Sequence, residues 1–116
     1  MTEKRQTGNA GEERAKAYLI EQGYTILETN WTCGHLEVDI IATDNQSVVF
    51  VEVKTRASEK FGGPEQAVNK QKQRNLIRAA NSYVIRNHIN KEVRFDIIAI
   101  VQDKIDHIKD AFAPLW

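Results

Sequence analysis

Residues 48–56 read VVFVEVKTR. A β-strand covered on both faces is written as a continuous apolar run, and Val48-Val49-Phe50-Val51 begins as one. Glu52 and Lys54 then place an acid and a base two residues apart in the same run. Because strand side chains alternate, both share a face with Val48 and Phe50. The preceding apolar segment, LEVDIIA at 36–42, is separated from this one only by the turn-rich TDNQS, which predicts an antiparallel hairpin. Alternation puts Glu37, Asp39 and Ile41 on one face. A turn around Asn45 and Gln46 sets Asp39 opposite Glu52, and Glu37 opposite Lys54. The inference depends on register, since a slip of one residue sends these groups to opposite faces.

Outward from the hairpin, GNAGEERAKAYLIEQGY (8–24) predicts a helix with Asn9 as N-cap, Ala10, Ala15 and Leu19 on one face, and Gly23 at its end. YTILETN (24–30) follows as a strand, with WTCGH (31–35) as a loop or bulge. EKFGGPEQ (59–66) is a loop, with Pro64 suited to the first turn of a long helix running to about Asn87. Val68, Leu76, Ala80, Tyr83 and Val84 form the inner stripe of that helix. VRFDIIAIV (93–101) is another buried strand and KIDHIK (104–109) an edge strand. The order α-β-β-β-α-β-β, with a helix long enough for a parallel crossover between the third and fourth strands, predicts an α/β fold. Its mixed sheet is flanked by helices.

The 116 residues, 41% hydrophobic and 28% charged, predict one globular domain over 1–116. Apolar runs fall short of the roughly 18 residues that span a bilayer. MTEKRQTGNAGEER (1–14) lacks the apolar core of a signal peptide, and a lone Cys33 suits a reducing compartment. The expectation is a cytoplasmic protein without a membrane partner. Formal net charge is zero, yet residues 53–94 hold ten Lys or Arg against three Glu. Such a basic stretch is either a solvated face or an attraction for nucleic acid.

Two carboxylates opposed on a half-buried sheet repel one another, and desolvation adds to the cost. A divalent cation resolves the conflict, because Mg²⁺ or Mn²⁺ takes oxygen ligands and keeps waters and positions for phosphates. Lys54 beside them could orient a water and offset charge on a phosphate, which together compose metal-assisted phosphodiester hydrolysis. The plainer alternative is a cross-strand ion pair of Lys54 with Glu37 or Glu52.

Asp39 and the EVK at 52–54 match the D…(D/E)-x-K signature of the PD-(D/E)XK nucleases. GNAGEERAKAYLIEQGYTILETNW, LEVDIIA, VFVEVKTR, FGGPEQAV, RFDIIAI and the late AF together resemble the YraN-like family of small bacterial proteins over nearly the whole chain. The resemblance implies a restriction-endonuclease-like fold, similar to archaeal Holliday junction resolvases. It implies a metal-dependent DNA endonuclease, with branched DNA among its substrates. Asp39, Glu52 and the Val53 carbonyl would hold Mg²⁺ or Mn²⁺, Lys54 would be the catalytic lysine, and Glu12 would complete the metal's surroundings. Because a junction has two-fold symmetry, a resolvase-like activity implies a homodimer. Two departures stand out. Val38 replaces the superfamily's nominal proline, and GHLEVD carries extra residues where Gly often directly precedes the acidic triplet.

Several residues admit two readings. Glu12 fits a capping box with Asn9 as well as a metal site. Lys72 falls in steps of four with Val68, Leu76 and Ala80, so it either snorkels to the rim or reaches the site and a DNA phosphate. Arg56 is positioned to contact phosphate. His35 contacts substrate or is simply solvated. Asp96 pairs with Arg94. His88, His107 and Cys33 lack metal-ligand spacing. A non-cleaving nucleic-acid-binding module of the same fold is the alternative to the nuclease, and fold alone does not separate the two.

Overall fold

A computed structural model describes residues 3–56 and 68–113, with side-chain detail from Ala10 onward. Helix α1 spans Glu3–Glu21, and strands β1 (Thr25–Cys33), β2 (Leu36–Thr43) and β3 (Ser47–Arg56) follow. Helix α2 covers Lys70–Arg86, and β4 (Glu92–Val101) and β5 (Lys104–Phe112) complete the order expected from the sequence. The five strands lie in the order β1-β2-β3-β4-β5. Only β3 and β4 run parallel, with α2 as their crossover. The fold is α/β, a mixed sheet with a helix on each face.

Val48, Phe50, Phe95 and Ile97 pack under α2 with Leu76, Ala79, Ala80 and Tyr83. Val49, Val51, Ile98 and Ile100 pack under α1 with Ala15 and Leu19. This double cover is why β3 and β4 read as apolar runs rather than as alternating strands.

Three boundaries differ from expectation. First, α1 begins at Glu3, so Asn9 is interior to the helix. No proline interrupts residues 3–8, and one interior glycine costs only about 1 kcal/mol. Asn9 therefore does not stand at the N-cap position that the expected Asn9–Glu12 capping box requires. The other end closes as predicted. Gly23, at φ +97°, donates its N–H to the Ile20 carbonyl, and Tyr24 donates to that of Leu19, a Schellman closure.

Second, Trp31–Cys33 belong to β1 rather than to a loop, because the chain reverses within Gly34-His35, where Gly34 takes φ +62°. Third, α2 starts at Lys70, with the Asn69 side chain accepting the Lys72 N–H at 2.8 Å. An asparagine cap satisfies one of the first-turn amides, and Val68 is buried but outside the helix. The expected loop at 59–66, and Pro64 within it, lie outside the described residues.

The β2–β3 ladder has the expected register, with Thr43 opposite Val48 and Ile40 opposite Val51. Its paired residues end at Ile40 and Val51, one step short of Asp39 and Glu52. At that step Val38 packs under α2 and Ile40 under α1, so side-chain alternation slips at Asp39. Asn30, level with Asp39 on β1, takes φ +51°. Both strands beside the aspartate thus deform there.

Candidate active site

Where β2 and β3 stop pairing, the Val53 N–H donates to Asp39 Oδ2 at 2.9 Å. A carboxylate has taken the place of a ladder carbonyl, and this fixes Asp39 against β3. Glu52, projecting from β3 one residue before that amide, is only 3% exposed. The two acids share a cleft of ≈ 210 Å³ with His35, Leu36 and Glu37 on one side and Lys72, Asn75 and Leu76 of α2 on the other.

Burial pushes the Asp39 carboxyl up to about 7, and the Glu52 charge adds to the shift. The Val53 amide pulls the other way, Glu12 raises it further, and Lys72 lowers it. The repulsion inferred from the sequence is therefore a property of this site. Two lysines offset it. Lys72 Nζ lies 2.7 Å from Glu52 Oε2 and Lys54 Nζ 3.9 Å from the same atom. Burial alone would lower the Lys72 ammonium, but its bond to Glu52 and the charges of Glu52, Asp39 and Glu37 leave it raised.

Glu12 approaches from α1. Gly11 makes the approach possible, since a Cβ there would stand 2.5 Å from Thr55 Oγ1. The Glu12 carboxyl is raised, first by burial, then opposed by the Asn30 side chain and raised again by Glu37 and Glu52. Its Oε1 is buried without a hydrogen-bond partner, an arrangement that leaves one acceptor free at a cost of about 1–3 kcal/mol.

Of the residues singled out from the sequence, Asp39, Glu52 and Lys72 line the cleft, and Lys54 reaches Glu52 from its rim. Glu12 lies within electrostatic reach of them, and Val53 contributes through its backbone. Arg56, the last residue of β3, is not among the cleft-lining residues. His35 does line it. Asn75 was not foreseen, although it stands three positions beyond Lys72 on the same helix, where side chains are neighbours. Among the described residues, no three His, Cys, Asp or Glu side chains converge as a metal-holding group.

A second polar cluster lies under α1. Arg94 donates to both oxygens of Asp96 at 2.9 Å, as the predicted pair requires. His107 Nε2 also meets Asp96 Oδ2 at 2.7 Å, and the Asp110 N–H reaches Oδ1 at 3.0 Å. Tyr18 Oη bonds His107 Nδ1, and Tyr24 accepts from Arg94 at 2.6 Å. Sequence reasoning missed His107, because nothing in local spacing announces a contact between β4 and β5.

The fold and cleft define a class: a small mixed-sheet α/β protein with paired acids and lysines at a gap between two strands. Residues 11–100 match the uncharacterised protein family UPF0102. A UPF0102 protein of Phocaeicola vulgatus is 43% identical over the full length of both chains. One of Bacteroides thetaiotaomicron is 46% identical over 98% of each, and one of Persephonella marina 45% identical over 90% of this chain and 91% of its own. The chain belongs to UPF0102, the YraN family. Among the described residues, no helix is long and apolar enough to cross a membrane.

Proposed function

We propose that this protein is a metal-dependent DNA endonuclease of the PD-(D/E)XK type, hydrolysing phosphodiester bonds, with branched, junction-like DNA among its substrates. One observation carries the reading: two acids, half-buried Asp39 and buried Glu52, face one cleft where the β2–β3 ladder ends. Placing two carboxylates there costs stability, and that cost has a use if the site works on a cation and a phosphate.

The donor set suits Mg²⁺ or Mn²⁺. Two carboxylates and the Val53 carbonyl are hard oxygen ligands, and few protein ligands suffice for ions that keep waters and bind substrate phosphates. Glu12, within electrostatic reach of both acids, keeps Oε1 without a partner, an acceptor for the outer surroundings of the ion. A bound divalent cation supplies Lewis-acid stabilisation of the charge that builds on the phosphoryl group. The chain's own residues do the rest. Asp39 and Glu52 hold the ion, the Val53 amide fixes Asp39, Lys54 orients the attacking water, and Lys72, Asn75 and His35 present donors to the phosphate along the cleft wall. Arg56 and the basic face of α2 extend phosphate contact beyond the cleft. A two-fold junction substrate implies a homodimer.

A second reading, a nucleic-acid-binding module without cleavage, draws on the same ion pair. Lys72 already neutralises Glu52 at 2.7 Å, so the acids are tolerable with no metal. The experiment that separates the two is cleavage of a supercoiled plasmid and a synthetic four-way junction in Mg²⁺, Mn²⁺ or EDTA, beside Lys54→Ala. The nuclease cuts in metal only, and Lys54→Ala loses about 10²-fold or more in rate. Junction binding without any cutting would replace it with the binding module.

A further inference from the structure

Lys72 is the third residue of α2, and its own N–H is pinned by the Asn69 cap. Leu76 and Ala80, four and eight residues on, are buried against the sheet, so this helix face aims Lys72 into the cleft. Its Nζ reaches Glu52 Oε2 at 2.7 Å, whereas Lys54, on the strand itself, remains 3.9 Å from that oxygen. Lys72 lines the cleft with Asp39 and Glu52, and Lys54 does not. The ammonium thus lies on the side from which a cation shared by the two acids would enter. Two cations on one carboxylate oxygen repel strongly in a partly desolvated cleft. The lysine is free to yield: its side chain is 43% exposed, on a flexible four-carbon stem.

We infer that Lys72 is a positioning residue that holds Glu52 as a surrogate cation and must withdraw before a divalent metal binds, so that it sets the metal affinity of the cleft. This rests on the proposed two-carboxylate metal site. Withdrawal also frees the ammonium for the substrate phosphate, so metal entry and phosphate binding are linked through one side chain. When a site is competent only while a competing contact is open, apparent affinity falls by the competent fraction. If the ion pair is formed about nine-tenths of the time, its removal tightens metal binding about tenfold.

The test is Mn²⁺ binding in the absence of nucleic acid, by calorimetry and by the electron paramagnetic resonance signal of free Mn²⁺. It is run at pH 8, so that carboxyl protonation does not enter the comparison. Lys72→Met and Lys72→Gln are expected to bind Mn²⁺ about tenfold more tightly than the wild type, Lys72→Arg to stay close to it, and Lys54→Met to change less. Circular dichroism melts confirm that each is folded. The sign is diagnostic, because a merely structural ion pair would loosen the site when removed. Equal or weaker binding by both Lys72→Met and Lys72→Gln would overturn the inference and leave the metal site standing. Mn²⁺ binding by no form, wild type included, would overturn both.

Discussion

Buried Asp96 and half-buried Asp39 are shifted in opposite directions, and the neighbours of each explain why. Burial on its own would raise Asp96, but hydrogen bonds from His107, Arg94 and the Asp110 amide, with the Arg94 charge, leave it below the ordinary carboxylate range. Asp39 meets burial and Glu52 with only one amide and a more distant ammonium, and is pushed up to about 7. A raised carboxyl binds its proton more tightly in the folded state. Its ionisation therefore withdraws stability as pH climbs from the unfolded value near 3.9 through the folded one. Asp39→Asn retains an oxygen to accept the Val53 amide and removes the charge. In EDTA at pH 8 it should be more stable than the wild type by roughly 1–3 kcal/mol in urea denaturation, while losing cleavage. At pH 4 that advantage should vanish. A variant less stable than the wild type at pH 8 would show that the carboxylate is structural.

Elements bring these residues together through two close approaches, one legible beforehand and one not. The β2–β3 register could be read because two apolar runs joined by a short turn admit few pairings, and Ile40 opposite Val51 confirms it. That the ladder then gives way to an Asp39–Val53 bond was not readable, since alternation assumes a regular strand through the acid. Helix α1 starts earlier than Asn9 suggests, because a cap-like residue in a stretch without proline does not by itself stop a helix. Spacing put Lys72 on the inner stripe, between the rim and the cleft, but its hold on Glu52 joins residues twenty positions apart and belongs to three dimensions. The approach of α1 to β3 was also invisible. It depends on Gly11, where a methyl would meet Thr55 Oγ1 at 2.5 Å but Thr55 Cβ only at 3.8 Å. Gly11→Ala should destabilise the protein by about 1–2 kcal/mol through overpacking. It should also reduce activity by displacing Glu12. In a Thr55→Ala background only the ordinary 3.8 Å contact remains, so the same change should become stabilising by up to about 1 kcal/mol through helix propensity. A double-mutant cycle by thermal unfolding reads the sign reversal, and additive effects would refute the close approach.

At the scale of the whole molecule, the sheet separates two kinds of polar chemistry. Under α1, the Asp96 cluster ties Tyr18 of that helix, Tyr24 after it, Asp44 of the β2–β3 turn, and strands β4 and β5 to one carboxylate and its arginine. Every charge there has a partner, so the cluster binds the fold. Under α2, Asp39 and Glu52 repel, and the fold tolerates them. The dependence of stability on pH should carry both signatures. Asp96, with its lowered carboxyl, contributes stability that is present above its unfolded value near 3.9 and lost as pH falls through the folded one. Asp39, at about 7, withdraws stability as pH rises from that unfolded value to neutrality. In EDTA the urea-derived stability should therefore peak at roughly pH 4 and decline toward pH 8. Asp96→Asn should lower the curve by about 1–3 kcal/mol above the unfolded value and by less as pH falls, since it removes the acceptor of two Arg94 bonds and leaves that half-buried guanidinium with Asp44 alone as counter-ion. Asp39→Asn should remove only the decline above that peak. Adding Mg²⁺ should lift the wild type at pH 8 and barely at pH 5, because an ion that binds the folded state stabilises it only where its ligands are ionised. A wild-type curve flat from pH 5 to 8 in EDTA, and unmoved by Mg²⁺ at pH 8, would mean that the two acids neither repel in solution nor hold a cation.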